Sequence, residues 1–355
     1  MNRIVDALKK GEIVALPTET VWGLCTLATE RGYKRLKVIK QRKDKPFAIF
    51  LPSINTLYKI ATHITQRRRA LIDNFFPGPM TVIVNTKKSF QKQFPFLPSK
   101  VGVRIPAIKD ILSVLRAVNR PVLATSANIS GREELSSCRE IIEAFGNEVV
   151  CFDLDVKSMG LPSTVIDITQ YPFSILRAGA IGPVEIRKIV RHPPKWNTSE
   201  PFTVLFVCSG NSCRSPMAEG MFRMMIPKDL NIRTASCGTL RFVGAPATIE
   251  AQRAVMQYNA DISSHKSQAI SRELLLRSHL ILAMEEHHIY TISSIAPEVW
   301  DRCFLLGGFG TKHPYEIPDP IGMPQEIYNS IARLIHRNLK QVTSYVVKFF
   351  KEVRV

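Results

Sequence analysis

The stretch Cys208-Ser209-Gly210-Asn211-Ser212-Cys213-Arg214-Ser215-Pro216 carries the plainest chemistry in the chain. Five small or polar residues separate a thiol from a guanidinium. A loop of such residues turns successive backbone N–H groups into its own concavity, where they can bind an oxyanion. The apolar run 204–207 before it reads as a buried strand. Arg214-Ser215-Pro216 reads as a helix start, with proline near the first turn. That helix N-terminus adds positive potential, and the same field favours the ionised thiol, so Cys208 is expected to be a thiolate nucleophile at neutral pH. Arg214 can grip two phosphoryl oxygens in its planar fork. An ordinary buried cysteine at a strand end is the alternative, but strand, Cys, small-residue loop, Arg, Ser and helix in that order favour a phosphate cradle. The leaving group then needs a proton, and Asp319, bracketed by Pro318 and Pro320, is the candidate acid.

The first half holds a looser set. Thr18 and Thr20 flank Glu19 where the apolar run 13–16 ends. Lys40, Arg42, Lys43 and Lys45 put four cations in six positions beside an expected strand at 47–51, a plausible triphosphate clamp. Arg104 lies within an apolar stretch and needs an anion if it points inward. Ser126 and Asn128 close an expected strand at 121–124, where an α/β fold binds ligands. Ser163 and Arg177 complete the set.

Positioning these groups takes more than one core. A chain of 355 residues points to two domains. The boundaries are expected at 1–182 and 202–355, with an exposed Pro-rich connector at 183–201 containing Trp196. In the second half, strands expected at 204–207, 232–239, 280–284 and 303–306 alternate with helices, which implies a doubly wound parallel sheet. The formal charge of +18 is uneven: residues 1–200 hold 31 Lys and Arg against 17 Asp and Glu, and residues 201–355 hold 17 against 13. The first half should therefore meet a polyanion, nucleotide or nucleic acid. Seven cysteines fit no zinc spacing, and a reducing cytoplasm is the simplest setting. No stretch is apolar and long enough to span a bilayer.

Taken in order, Pro17-Thr18-Glu19-Thr20-Val21-Trp22-Gly23-Leu24, the basic run to Lys45-Pro46, Pro77-Gly78-Pro79-Met80-Thr81, Val103-Arg104-Ile105-Pro106, Ser126-Ala127-Asn128-Ile129-Ser130-Gly131, Ser163-Thr164-Val165 and Leu176-Arg177-Ala178-Gly179 resemble the threonylcarbamoyl-AMP synthase family over residues 4–182. The resemblance implies a twisted mixed α/β sheet around a basic cavity. It implies that threonine, bicarbonate and ATP, with Mg²⁺ on the phosphates, give threonylcarbamoyl-adenylate for the t6A modification of tRNA, alongside tRNA-modification proteins. Thr18 or Thr20, Arg104 and Ser163 would hold threonine; Lys40, Arg42, Lys45, Ser126, Asn128 and Arg177 would hold ATP; no protein metal site is implied. Glu133 and Glu134 stand where the family often has small hydroxyl residues, and a carboxylate there repels ATP unless it points outward. A catalytically inactive domain that only binds nucleotide or RNA, attached to a tyrosine phosphatase, is the competing reading.

The second half resembles the low-molecular-weight protein phosphatases over residues 202–350, through Val207 to Glu219, Ser236 to Thr239, and Asp319-Pro320. The resemblance implies attack by Cys208 on the phosphorus of a phosphoprotein, with no cofactor. Asp319 protonates the leaving group and then activates water. Arg214 and the amides of Ser209, Gly210, Ser212 and Cys213 hold the phosphoryl oxygens, Ser215 bonds the thiolate, and Asn211 orders the loop. Cys213 could pair with Cys208 on oxidation. Tyrosine-directed members carry a bulky aliphatic residue at the Ser212 position and aromatics after Asp-Pro. Here Ser212 is small and Ile321-Gly322 follow, closer to arginine phosphatases, so phosphoarginine is the favoured substrate. The related arsenate reductases need two further neighbouring cysteines, which Cys237 and Cys303 are too far apart to supply.

Overall fold

Short, continuously apolar runs become strands covered on both faces, and amphipathic stretches become the helices that cover them. The computed structural model describes residues 1–41, 46–240 and 242–350. Arg42 and Lys45 of the expected nucleotide clamp lie outside these residues. The chain divides into two compact units, one of Met1–Ile181 with Lys188–Pro194, the other of Gly182–Arg187 with Lys195 onward.

In the first unit the strands are β1 (Ile13–Leu16), β2 (Gly23–Leu27), β3 (Ala48–Phe50), β4 (Met80–Asn85), β5 (Lys100–Arg104), β6 (Val122–Ser126), β7 (Val149–Cys151), β8 (Thr164–Asp167) and β9 (Ser174–Arg177). They pair in the order β9-β8-β4-β5-β3-β6-β2-β1-β7. The sheet is mixed: β1–β7, β3–β5 and β4–β8 run parallel, and the remaining pairs antiparallel. Its register brings Gly23 opposite Ser126, and Leu16 opposite Gly23, so the strand ends that carry the threonines and the Ser-Ala-Asn segment are neighbours. Helices Asn2–Lys9 and Lys109–Val118 lay Ile4, Leu8, Ile111 and Leu115 onto Val14, Leu16, Cys25 and Val122, forming one core. Asn119 ends the second helix in the left-handed region at φ 50°.

Cys138 and Cys151 form a disulfide that ties the helix Cys138–Phe145 to β7. The other five cysteines are free and buried. A separation of 13 residues in sequence says nothing about Cα distance, which is why the pair was not legible.

In the second unit a two-residue strand β10 (Lys195–Trp196) precedes β11 (Phe202–Cys208), β12 (Ile232–Gly238), β13 (Leu280–Ala283) and β14 (Cys303–Leu305). The last four form an all-parallel sheet in the order β12-β11-β13-β14. All seven residues of β11 are buried. Because β12 lies on one side of β11 and β13 on the other, the connections diverge at the C-terminal end of β11, where open α/β sheets form their crevice. Cys208 is the last residue of that strand. The helix Gln325–Val347 buries Ile331, Ile335, Leu339, Val342 and Val346, as their spacing requires.

The expected connector at 183–201 is not uniformly exposed. Val184 and Ile186 are buried in the helix Pro183–Val190, and Trp196 is only 8% exposed. The Trp196 ring lies 4.7 Å from His279 and 5.3 Å from Phe202, and its backbone N–H donates to Phe349 O at 2.7 Å. A single aromatic among prolines and polar residues gave no periodicity from which to expect this. Among the described residues, no helix is long and apolar enough to cross a membrane.

Candidate active sites

The cradle of the second unit forms because three kinds of residue meet at the end of β11. Asn211 sits in the left-handed region at φ 52°, a conformation asparagine tolerates better than most residues. Its Nδ2 donates to Ser215 Oγ and Ser236 Oγ, both at 2.9 Å, and its Oδ1 accepts from Gln268 N–H. Its carbonyl bonds His265 Nε2. Gly238, beside the loop, is required sterically: a Cβ there would meet Ser209 O at 2.5 Å and Asn211 N at 3.0 Å.

Cys208 is 2% exposed. Its Sγ lies 3.0 Å from Ser215 Oγ and accepts the Asn211 N–H at 3.3 Å. Burial pushes the Cys208 thiol up, against the downward pull of Ser215, Arg214 and the Asn211 amide. The groups that favour the thiolate are therefore the loop and helix-start donors expected from the sequence, and burial at the strand end opposes them.

Arg214 is 1% exposed. Its Nη1 donates to Glu285 Oε2 at 2.6 Å and to Ile317 O at 2.9 Å, and its Nη2 donates to Asp319 Oδ2 at 2.5 Å. Among the described residues its Nε has no partner. Glu285 was not singled out from sequence, because Met284-Glu285-Glu286-His287-His288 reads as an ordinary polar helix start. Its capping box with His288 was the available signal. His288 Nδ1 accepts the Glu285 N–H, so in the neutral ring Nε2–H donates to Ser209 Oγ at 2.9 Å. Burial, then His287 and Arg214, pull His288 down to about 3, so the ring stays neutral at working pH. Glu285, His287 and His288 lie close enough to suggest a metal group, but both His288 nitrogens and the Glu285 carboxylate are already engaged in supporting the cradle.

Ser209, Gly210 and Ser212 line the loop in half-buried positions. Cys213 is buried with its Sγ 3.4 Å from Tyr328 Oη and 3.6 Å from Thr248 Oγ1. Tyr328 arrives from the C-terminal helix and was not anticipated.

In the first unit, Arg104 is buried and its Nη2 donates to Glu19 Oε1 at 2.8 Å, with Thr18 Oγ1 at 3.5 Å. Glu19 is the anion that an inward-pointing Arg104 needs. Thr18 Oγ1 lies 2.9 Å from Thr20 Oγ1. Ser163 Oγ bonds Thr81 Oγ1 at 2.9 Å and accepts from Arg177 Nη2 at 2.9 Å. Thr81 of β4 thus joins Ser163, the residue that precedes β8. Arg177 also donates twice to Ser163 O.

Lys40 is 2% exposed, and its ammonium donates to Ser126 O, Asn128 O and Asn128 Oδ1. It thus helps to position the Ser-Ala-Asn segment. Ser126 Oγ donates to Asn128 Oδ1 at 2.8 Å. Glu134 does not point away: it is half-buried, with Arg177 and Lys40 drawing it towards the ionised form while burial wins and pushes its carboxyl up.

With this geometry in view, the relatives are informative. The family profile described as Telomere recombination (Sua5/YciO/YrdC) matches residues 6–179, and that of the low molecular weight phosphotyrosine protein phosphatases matches residues 203–353. A threonylcarbamoyl-AMP synthase of Aliivibrio fischeri is 32% identical over 47% of this chain and 93% of its own length. The low-molecular-weight protein-tyrosine-phosphatase Etp of Escherichia coli is 31% identical over 38% of this chain and 88% of its own. The chain belongs to both families. Both are families of enzymes, and the chain joins a synthase domain of the t6A type to a low-molecular-weight protein phosphatase domain. A synthase of Pyrococcus abyssi is 34% identical over 52% of this chain, which spans 55% of that relative's length. A mutant form of Pyrococcus abyssi Sua5 shares the fold over 85% of this chain and 93% of its own, with a TM-score of 0.51 at 23% identity.

Proposed function

We propose that the chain is a bifunctional cytoplasmic enzyme. Its N-terminal unit makes L-threonylcarbamoyl-adenylate from threonine, bicarbonate and ATP for tRNA modification. Its C-terminal unit hydrolyses phosphorylated protein, with phosphoarginine preferred over phosphotyrosine.

The phosphatase reading is carried by one observation: Arg214 keeps an unpartnered Nε beside a thiol that Ser215 and a loop amide already address. Glu285 and Ile317 O hold Nη1 and fix the plane of the fork. A phosphoryl group would take Nε and Nη2, displacing Asp319 from Nη2 and freeing its carboxyl to reach the leaving group. The Cys208 sulfur then forms the S–P bond as the P–N bond of phosphoarginine, or the P–O bond of phosphotyrosine, breaks. Asp319 gives its proton to the departing nitrogen or oxygen. In the second step Asp319 takes a proton from water, whose oxygen bonds phosphorus as the S–P bond breaks. The small Ser212 supports the phosphoarginine preference. Comparing hydrolysis of phosphoarginine and phosphotyrosine peptides tests this; a clear tyrosine preference sinks it.

In the synthase unit, Thr18 or Thr20, Arg104 and Ser163 would hold threonine. Ser126, Asn128 and Arg177, with Arg42 and Lys45, would hold the nucleotide. Mg²⁺ would arrive on the triphosphate as part of the substrate. Catalysis is then positioning and charge stabilisation. The measurement is pyrophosphate release that requires threonine, bicarbonate and ATP together. Nucleotide binding without such release would favour the inactive, nucleotide- or RNA-binding reading. A Cys208→Ser chain should keep the synthase activity and lose the phosphatase.

A further inference from the structure

A cavity of about 310 Å³ lies in the second unit against the segment that begins with Glu286. Its walls include Tyr290, Trp300, Phe304 and Phe309, four aromatic rings, with Thr311 as a neutral polar member. Among the described residues, Glu286 is the one charged residue that lines it. Tyr290 is 68% exposed and Trp300 55% exposed, large aromatic side chains that a folded protein ordinarily covers. Phe304 and Phe309 meet edge to face with centroids 5.5 Å apart, so the inner wall is fixed. None of these residues takes part in the phosphoryl chemistry described above.

Aromatic faces carry negative potential and attract a cation placed over them, and a carboxylate at the rim adds to that attraction. The surroundings agree: the Glu286 N–H is held by the Glu316 carboxylate at 2.8 Å, and Glu285 is the preceding residue. A neutral apolar ligand would leave Glu286 unused, and an anion would be repelled. We infer that this cavity binds a cationic side chain, the guanidinium or ammonium of an arginine or lysine, from a protein segment engaged by the phosphatase unit. The position suits a flanking residue of a phosphorylated segment, because Glu285, one residue away, touches Arg214 of the cradle. The cavity assignment itself does not depend on which phosphorylated residue is cleaved.

Calorimetric titration of the full chain with N-acetyl-arginine amide tests the inference. Inorganic phosphate is present throughout to occupy the cradle, and the neutral citrulline counterpart is titrated in parallel. The expected result is saturable binding of the arginine probe, about tenfold or more tighter than citrulline. Glu286→Gln and Trp300→Ala should each weaken it, the first by about tenfold, while hydrolysis of a small aryl phosphate stays at the parent rate. Quenching of Trp300 fluorescence, lost in Trp300→Phe, localises the probe. Absent saturable binding, equal binding of citrulline, displacement by phosphate, or an unchanged affinity in Glu286→Gln would each overturn it.

Discussion

Replacing Ser215 by alanine isolates the contribution of one hydroxyl to the Cys208 nucleophile. Ser215 Oγ lies 3.0 Å from Sγ, is itself fixed by Asn211 Nδ2 at 2.9 Å, and is fully buried. It is the largest of the influences that oppose the burial pushing the thiol up. A hydrogen bond to a charged acceptor contributes about 1.5–3 kcal/mol, and every ~1.4 kcal/mol of preference for the ionised form is a factor of ten in thiolate population. Ser215→Ala should therefore slow alkylation of Cys208 by iodoacetate at neutral pH by about ten- to a hundredfold, with the pH profile moved to higher pH. Turnover of a small aryl phosphate should fall in parallel, since the thiolate is the attacking species. Only Cys208 should respond, which mass mapping of the alkylated peptide checks. If the pH profile of alkylation is unchanged while turnover falls, the hydroxyl acts on something other than the thiol, and the reasoning is wrong.

Three more outcomes follow from single residues. Asn211→Ala removes three side-chain hydrogen bonds and places a Cβ-only residue at φ 52°; it should cost about 2–4 kcal/mol in urea unfolding and abolish phosphatase turnover. Glu134→Gln removes a half-buried carboxyl beside Arg177 and Lys40; the KM for ATP should fall about three- to tenfold, and a rise would show that the carboxyl helps bind the substrate. His279, buried and accepting the Thr203 N–H, is held down to about 3. The unfolded ring, at its ordinary 6.5, binds the proton more readily, so the stability of the neutral buried ring is intact above that value and is lost as pH falls below it, by about 1.4 kcal/mol per unit. His279→Gln should make the fall in unfolding midpoint between pH 7 and pH 5 shallower, and an equal fall refutes the assignment.

The parts of the fold that were legible are those in which one local signal decides. The run from Ile13 to Leu16 and the run ending at Cys208 are short, wholly apolar and bounded by polar turns, so they could only be buried strands. The cradle was legible because its chemistry lies within nine consecutive residues. What escaped depends on contacts between distant segments. Glu285 reaches Arg214 across 71 residues, and Tyr328 reaches Cys213 across 115. Lys40 stood in a basic run that looked like a clamp, yet its ammonium turns to Asn128, 88 residues on. Donors to the Cys208 sulfur can be read from residue types, whereas the depth of burial that opposes them is a property of the whole sheet.

The charge around Arg214 bears on how strongly it favours the Cys208 thiolate. The guanidinium shares its single positive charge between Glu285 and Asp319, with contacts of 2.6 and 2.5 Å. Two carboxylates against one cation leave the cradle with a net negative neighbourhood before any substrate arrives. The side chain of Glu285 is 22% exposed and that of Asp319 36% exposed, so the second is the one that solvent and substrate can reach and move. Removing Asp319 should therefore have opposite effects on two readouts. Turnover falls in Asp319→Ala because the proton donor is gone. Alkylation of Cys208 at neutral pH should quicken by about three- to tenfold, because more of the Arg214 field reaches the sulfur. Asp319→Asn, which keeps a polar group of similar size but not the charge, should behave in the same way. Slower alkylation in both variants would mean that Asp319 does not hold back the thiolate, and that Arg214 acts on the sulfur independently of its carboxylate partners.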